Sequence, residues 1–90
     1  MSPVPKCLIT ALGHNIRAER FRNGYSQDIL AEKTGLHRTY IGIVERGEKN
    51  ITVFNCYKIA DALNMPLSDL IRRAEESFVI SNKAEELNEF

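Results

Sequence analysis

Residues 27–46 read QDILAEKTGLHRTYIGIVER, and this stretch decides the fold. Ile29, Leu30 and Ala31 begin one buried apolar stripe, and Leu36, Ile41 and Val44 make another at helical spacing. Between them stands Gly35, a residue that readily takes the left-handed conformation in which helices stop. Ser26 precedes the first stripe and suits an N-cap, and Asp28 places a negative charge at the positive end of the same helix. Small Ala31 lets two helix axes come close, while Leu30, Leu36, Ile41 and Val44 supply the seam between them. The spacing predicts one helix from 27 to a stop at Gly35, a tight turn, and a second helix over 38–46 ended by Gly47. An ordinary helical hairpin with a glycine turn is the alternative, and it has no need of the small residue at 31.

Outward from this pair the chain stays helical. Leu8, Leu12, Ile16 and Phe21 fall near one face of a first helix over 9–22, with Gly24 as its terminator. Thr52 caps a fourth helix that turns Val53, Cys56, Ile59, Ala60 and Leu63 inward. Asn64-Met65-Pro66 breaks it, and a fifth follows over 67–76. Residues 77–81, SFVIS, are apolar with β-branched members, and 82–90 form an acidic segment that is either a short helix or a frayed tail. No stretch alternates with a two-residue period. The expected fold is therefore all-α: a five-helix, helix-turn-helix domain over 1–76, and a C-terminal tail over 77–90 that serves dimerisation or a partner.

At 90 residues the chain makes one small domain. It contains no apolar run of the ~18 residues that a membrane span needs, and its first residues lack a secretory pattern, so a cytoplasmic location is expected. Cys7 and Cys56 are far apart, without zinc or redox spacing, and Cys56 reads as a small buried hydrophobe. His14 and His37 each stand without a second ligand or a nucleophile and read as surface residues. With no paired acids, nucleophile elbow or phosphate-cradling loop, neither an enzyme, a metal nor a cofactor is expected. Net charge is zero, which taken alone disfavours nucleic acid. Residues 1–64 nevertheless carry nine Lys and Arg against six Asp and Glu, and residues 65–90 three against six, so the front is basic and the tail acidic.

Residues 12–71, LGHNIRAERFRNGYSQDILAEKTGLHRTYIGIVERGEKNITVFNCYKIADALNMPLSDLI, resemble the phage Cro/CI repressor-like (XRE-type) helix-turn-helix family. Within it, LHRTYI at 36–41 and VERGEKNIT at 44–52 look most like the controller proteins of restriction-modification systems. The resemblance implies a lambda-repressor-like domain with its third helix in the major groove of double-stranded DNA. Arg38 and Thr39 then open the recognition helix as base readers, Arg through guanine O6 and N7 and Thr through its hydroxyl or methyl. Tyr40 either meets a base or phosphate or belongs to the core, and Ile43 either meets a thymine methyl or is core. Gly42 leaves room for close approach. Gln27, Arg46, Lys49 and Asn50 match phosphate-contacting positions. Arg20 and Glu45 match a partly buried ion pair that ties the first helix to the end of the recognition helix. Arg17 and Arg22 read as solvated.

Assembly follows from Leu67, Leu70, Ile71 and Ala74, which recur at helical spacing beside Phe78. A domain of this size cannot cover them all, so a two-fold homodimer through this surface is expected. It would read a palindromic operator with half-sites one DNA turn apart. RNA polymerase becomes a partner where the operator adjoins a promoter. The rival from another class is an antitoxin or other protein-interaction module on the same scaffold, its tail (Phe78, Val79, Ile80, Leu87, Phe90) aimed at a protein.

Overall fold

The computed structural model describes the backbone of residues 6–88 and the side chains of residues 7–77. Five helices follow in order: α1 Lys6–Arg22, α2 Gln27–Thr34, α3 Arg38–Glu45, α4 Val53–Ala62 and α5 Leu67–Asn88. There is no strand among the described residues.

The short helices begin and end where local chemistry dictates. Ser26 is extended and its Oγ accepts from the Ile29 N–H at 3.1 Å, which starts α2. Gly35, at φ 74°, ends α2 and donates its N–H to the Ala31 carbonyl at 2.8 Å. Thr52 Oγ1 accepts from the Asn55 N–H at 3.1 Å and starts α4 in the same manner. The cap of α3 is His37, whose Nδ1 accepts from the Thr39 N–H at 3.2 Å. Histidine is not among the preferred capping residues, so its sequence carries no sign of this role.

Ile16, Leu30, Ile41, Val44, Cys56, Ile59, Ala60, Leu63 and Leu70 form the core. Every helix contributes to it: α1 packs on α3 and α5, α2 on α3 and α4, and α4 on α5. Thr34 is buried at the turn, where its hydroxyl donates to the Leu30 carbonyl at 2.8 Å and accepts from the Leu36 N–H at 3.2 Å. The turn of the helix pair is thus closed without an orphaned polar group.

Five sequence expectations are corrected, the first being Ile29, expected in the buried stripe of α2 but 39% exposed. Phe21 is 60% exposed, because five residues past Ile16 is about 140° around the helix, away from the buried face. The guanidinium groups of Arg17 and Arg20 lie over its ring, 5.4 and 4.7 Å from the centroid. Val53 is 75% exposed: it opens α4 ahead of the turn at which Cys56 meets the core. The fifth helix does not stop near 76 but continues to Asn88. Residues 77–88 hold no Gly or Pro, and β-branched Val79 and Ile80 weaken a helix by only ~0.5 kcal/mol each. α1 begins at Lys6, three residues earlier than its periodicity suggested, since periodicity marks helix ends only weakly. Among the described residues no helix is long and apolar enough to cross a membrane.

Candidate nucleic-acid interface

The crossing of α2 and α3 gathers one group of polar side chains on one face. Arg38 and Thr39, the first residues of α3, are both exposed. One turn on, Gly42 is buried, and a Cβ placed there would lie 3.1 Å from Arg46 Nη1 and 3.8 Å from the Gln27 amide. The missing side chain leaves a shallow cleft of about 220 Å³ lined by Gln27, Arg38, Thr39, Gly42 and Arg46. Four of the eight residues expected at DNA therefore surround a single depression.

Beneath it lies a buried polar network that holds Gln27. Arg20 of α1 meets Glu45 at the end of α3 twice, Nε to Oε2 at 2.7 Å and Nη2 to Oε1 at 3.0 Å, with both side chains nearly inaccessible. Arg20 Nη1 also donates to the Tyr25 carbonyl at 2.9 Å, and Gln27 Nε2 donates to Glu45 Oε1 at 3.2 Å. Because each charge is matched and further hydrogen-bonded, the pair is tolerated in the interior. It joins α1, the loop before α2, α2 and α3.

Two acidic side chains temper the exposed basic residues. Arg38 Nε lies 3.3 Å from Asp28 Oδ1. Arg46 donates to Glu48 through Nε at 2.9 Å and Nη2 at 3.4 Å, contacts that raise its pKa above the ordinary value. Glu48, two residues away, is legible in the sequence as a neighbour of Arg46. Asp28 and Arg38 are ten residues apart, and only the helix crossing brings them together.

The remaining expected residues are dispersed. Tyr40 is half-buried against the core and its Oη accepts from Asn55 Nδ2 at 3.1 Å, so its ring packs while its hydroxyl ties α3 to α4. Lys49 is exposed, with Nζ 5.9 Å from the Tyr40 ring centroid. Ile43 is half-buried. Asn50 is exposed but lies at a separate apolar groove of about 190 Å³, beside Ile51, Val53, Cys56, Leu67 and Ile71. Arg17 and His14 are exposed, and Arg22 pairs with Glu19, which also receives Arg73 from α5. Burial pushes the Cys56 thiol up to about 11.

The expected dimer surface is narrower than its periodicity suggested. Leu70 and Ala74 are 0% and 1% exposed within the protomer, so neither has surface to offer a partner. Leu67 is half-buried and Ile71 is 41% exposed, while the side chain of Phe78 lies outside the described residues. Phe54 and Tyr57 of α4 are exposed apolar residues that the sequence pattern does not assign to any surface, and Val53, expected inward, is exposed as well.

A helix-turn-helix family model (HTH_3) matches residues 16–70 of the chain. The control protein C.SmaI of Serratia marcescens is 48% identical over 62 residues, 69% of this chain and 74% of that protein. Among solved structures, the clp gene regulator ClgR of Corynebacterium glutamicum superposes with a TM-score of 0.84 at 28% identity, covering 97% of this chain and 92% of that one. The restriction-modification controller protein C.Esp1396I, solved as a tetramer in complex with its natural 35 base-pair operator, has a TM-score of 0.72 at 26% identity, covering 80% of this chain and 95% of that one. The crossing of α2 and α3, the closed turn at Thr34 and Gly35, and a family match that runs from the core of α1 into α5 agree: the chain belongs to the XRE-type helix-turn-helix family of transcriptional regulators.

Proposed function

We propose that the protein regulates transcription by binding a palindromic operator as a homodimer, in the manner of a restriction-modification controller. The observation that carries this reading is the exposed N-terminal turn of α3, with Arg38 and Thr39 at the rim of a cleft floored by Gly42. Arg38 offers the forked donors that match guanine O6 and N7, and Thr39 a hydroxyl or methyl for the adjacent base. Gln27 sits at the start of α2, where free N–H groups and the helix dipole favour a phosphate, and Arg46 and Lys49 extend that contact along the backbone. Asn50 contributes a phosphate contact from the following loop. Tyr40 sets the height of α3 against α4, and Ile43 meets a thymine methyl with its exposed part.

Two copies join through the apolar surface that Val53 of α4 shares with Leu67 and Ile71 of α5. The two recognition helices are then about 34 Å apart, one turn of DNA. The protein acts in the cytoplasm at the nucleoid, and it contacts RNA polymerase where the operator adjoins a promoter. Selection of bound DNA from random sequence tests the reading. An inverted repeat with half-site centres roughly 10 base pairs apart is the expected product; recovery of no motif overturns it.

A further inference from the structure

Asp28 stands in the first turn of α2, and Arg38 in the first turn of α3. The two side chains are 72% and 63% exposed, and Arg38 approaches the carboxylate through Nε, at 3.3 Å. That direction of approach matters. Nε is the Arg38 nitrogen nearest the carboxylate and the contact is an ion pair without a directed hydrogen bond, so the Nη1 and Nη2 edge keeps its two parallel donors for guanine O6 and N7. Asp28 suits the positive end of α2, but on the groove-facing surface it also repels phosphate, so its place beside Arg38 bears on how that residue meets DNA.

We infer that Asp28 is a specificity-determining positioning residue: it holds Nε of Arg38 so that the terminal edge of the guanidinium faces one guanine in each half-site. In the free protein the pair is solvated and weak. In the groove water is displaced, the effective dielectric falls, and the attraction that orients Arg38 strengthens where orientation is needed. Asp28 thereby trades general affinity for discrimination, because the same charge that aligns Arg38 weakens binding to any sequence that fails to engage it.

The inference rests on the reading of Arg38 as a base contact, and the experiment separates the two. Binding of the full-length protein is measured on the selected operator and on a set of operators in which the Arg38-contacted guanine is replaced by each other base. Wild type, Asp28→Asn, Asp28→Ala, Arg38→Ala and the double variant Asp28→Ala/Arg38→Ala are compared, with thermal melts to establish that each is folded. Arg38→Ala abolishes preference at one position per half-site. Asp28→Asn and Asp28→Ala reduce that same preference by roughly tenfold, leave the other positions unchanged, and bind unrelated DNA as well as wild type or better. The double variant loses no more preference than Arg38→Ala alone.

If the Asp28 variants gain affinity equally on every operator with preference intact, Asp28 is only a repulsive charge and the inference is overturned. It is also overturned if they leave both quantities unchanged. If Arg38→Ala itself leaves base preference untouched, the reading of Arg38 fails and takes the inference with it.

Discussion

Arg20 and Glu45, 25 residues apart in the chain, form a doubly hydrogen-bonded, buried ion pair between α1 and the end of α3. Through Gln27 and the Tyr25 carbonyl the pair reaches α2 and the loop before it. Truncating one partner strands a buried charge, so Arg20→Ala or Glu45→Ala should lower stability by ~3 to 5 kcal/mol in urea denaturation. Replacing both together, as Arg20→Met/Glu45→Leu, should cost far less, since neither charge then remains. A double variant as unstable as the sum of the singles would mean that the two residues act independently.

Gly13 marks a close approach of α1 to the end of α3. A Cβ there would lie 2.4 Å from the Val44 carbonyl oxygen and 2.7 Å from that of Glu45, both backbone atoms. In an open helix Gly→Ala would gain ~1 kcal/mol. Here the clash dominates, and Gly13→Ala should instead destabilise by ~1 to 3 kcal/mol, because α3 can yield only by moving its backbone. Calorimetry decides: a raised melting temperature would show that the helices are not this close.

Arg38 and Lys49 should fail in different ways. Arg38→Ala is expected to lower affinity for the cognate operator by ~1 to 3 kcal/mol and to relax one base position per half-site. Lys49→Ala should weaken all sequences alike and reduce the slope of log K against log salt by about one for each phosphate that Lys49 neutralises. Titrations by fluorescence anisotropy at several salt concentrations distinguish the two, and an unchanged slope would remove Lys49 from the interface.

Ile71 and Leu70 are adjacent in sequence but occupy opposite environments, 41% and 0% exposed. Ile71→Lys should therefore still fold and melt cooperatively, below wild type as dimer stabilisation is lost, and behave as a monomer in light scattering, binding the full operator no better than a half-site. Leu70→Lys should unfold the protein. A dimeric Ile71→Lys protein would place the interface elsewhere.

Cys56 is buried and its thiol pKa rises from an ordinary 9.0 to about 11, because the core disfavours the thiolate. The fold thus favours the neutral thiol, and this contribution is complete below pH 9 and is lost as pH rises through 11. At pH 8 an alkylating reagent should modify exposed Cys7 in the native protein and reach Cys56 only after denaturation. Labelling of both thiols in the native protein would contradict the buried position of Cys56.

Much of the fold was legible in the sequence where the controlling chemistry is local. Ser26, Gly35 and Thr52 delimit α2 and α4 through bonds to groups three or four residues away, and such bonds can be read from neighbours in the chain. The core positions of α2, α3 and α4 follow from their spacing, with Val53 and Ile29 as the exceptions that a helix of two or three turns leaves open. The gathering of Gln27, Arg38, Thr39 and Arg46 was reached through a resemblance, because no local rule places four such residues around one cleft.

The tertiary structure alone decided the rest. Helical periodicity says which residues share a face, but not how wide a face the partners cover, which is why Phe21 and Val53 point to solvent and Leu70 and Ala74 are consumed by the protomer's own core. It is silent on contacts between distant residues, so Asp28 beside Arg38, Asn55 on Tyr40 and Gly13 against the end of α3 became visible only once the helices crossed. Sequence determined the elements, since their energetics act within a turn or two. The crossing angles determined the site, since side chains far apart in the chain meet only when the helices pack.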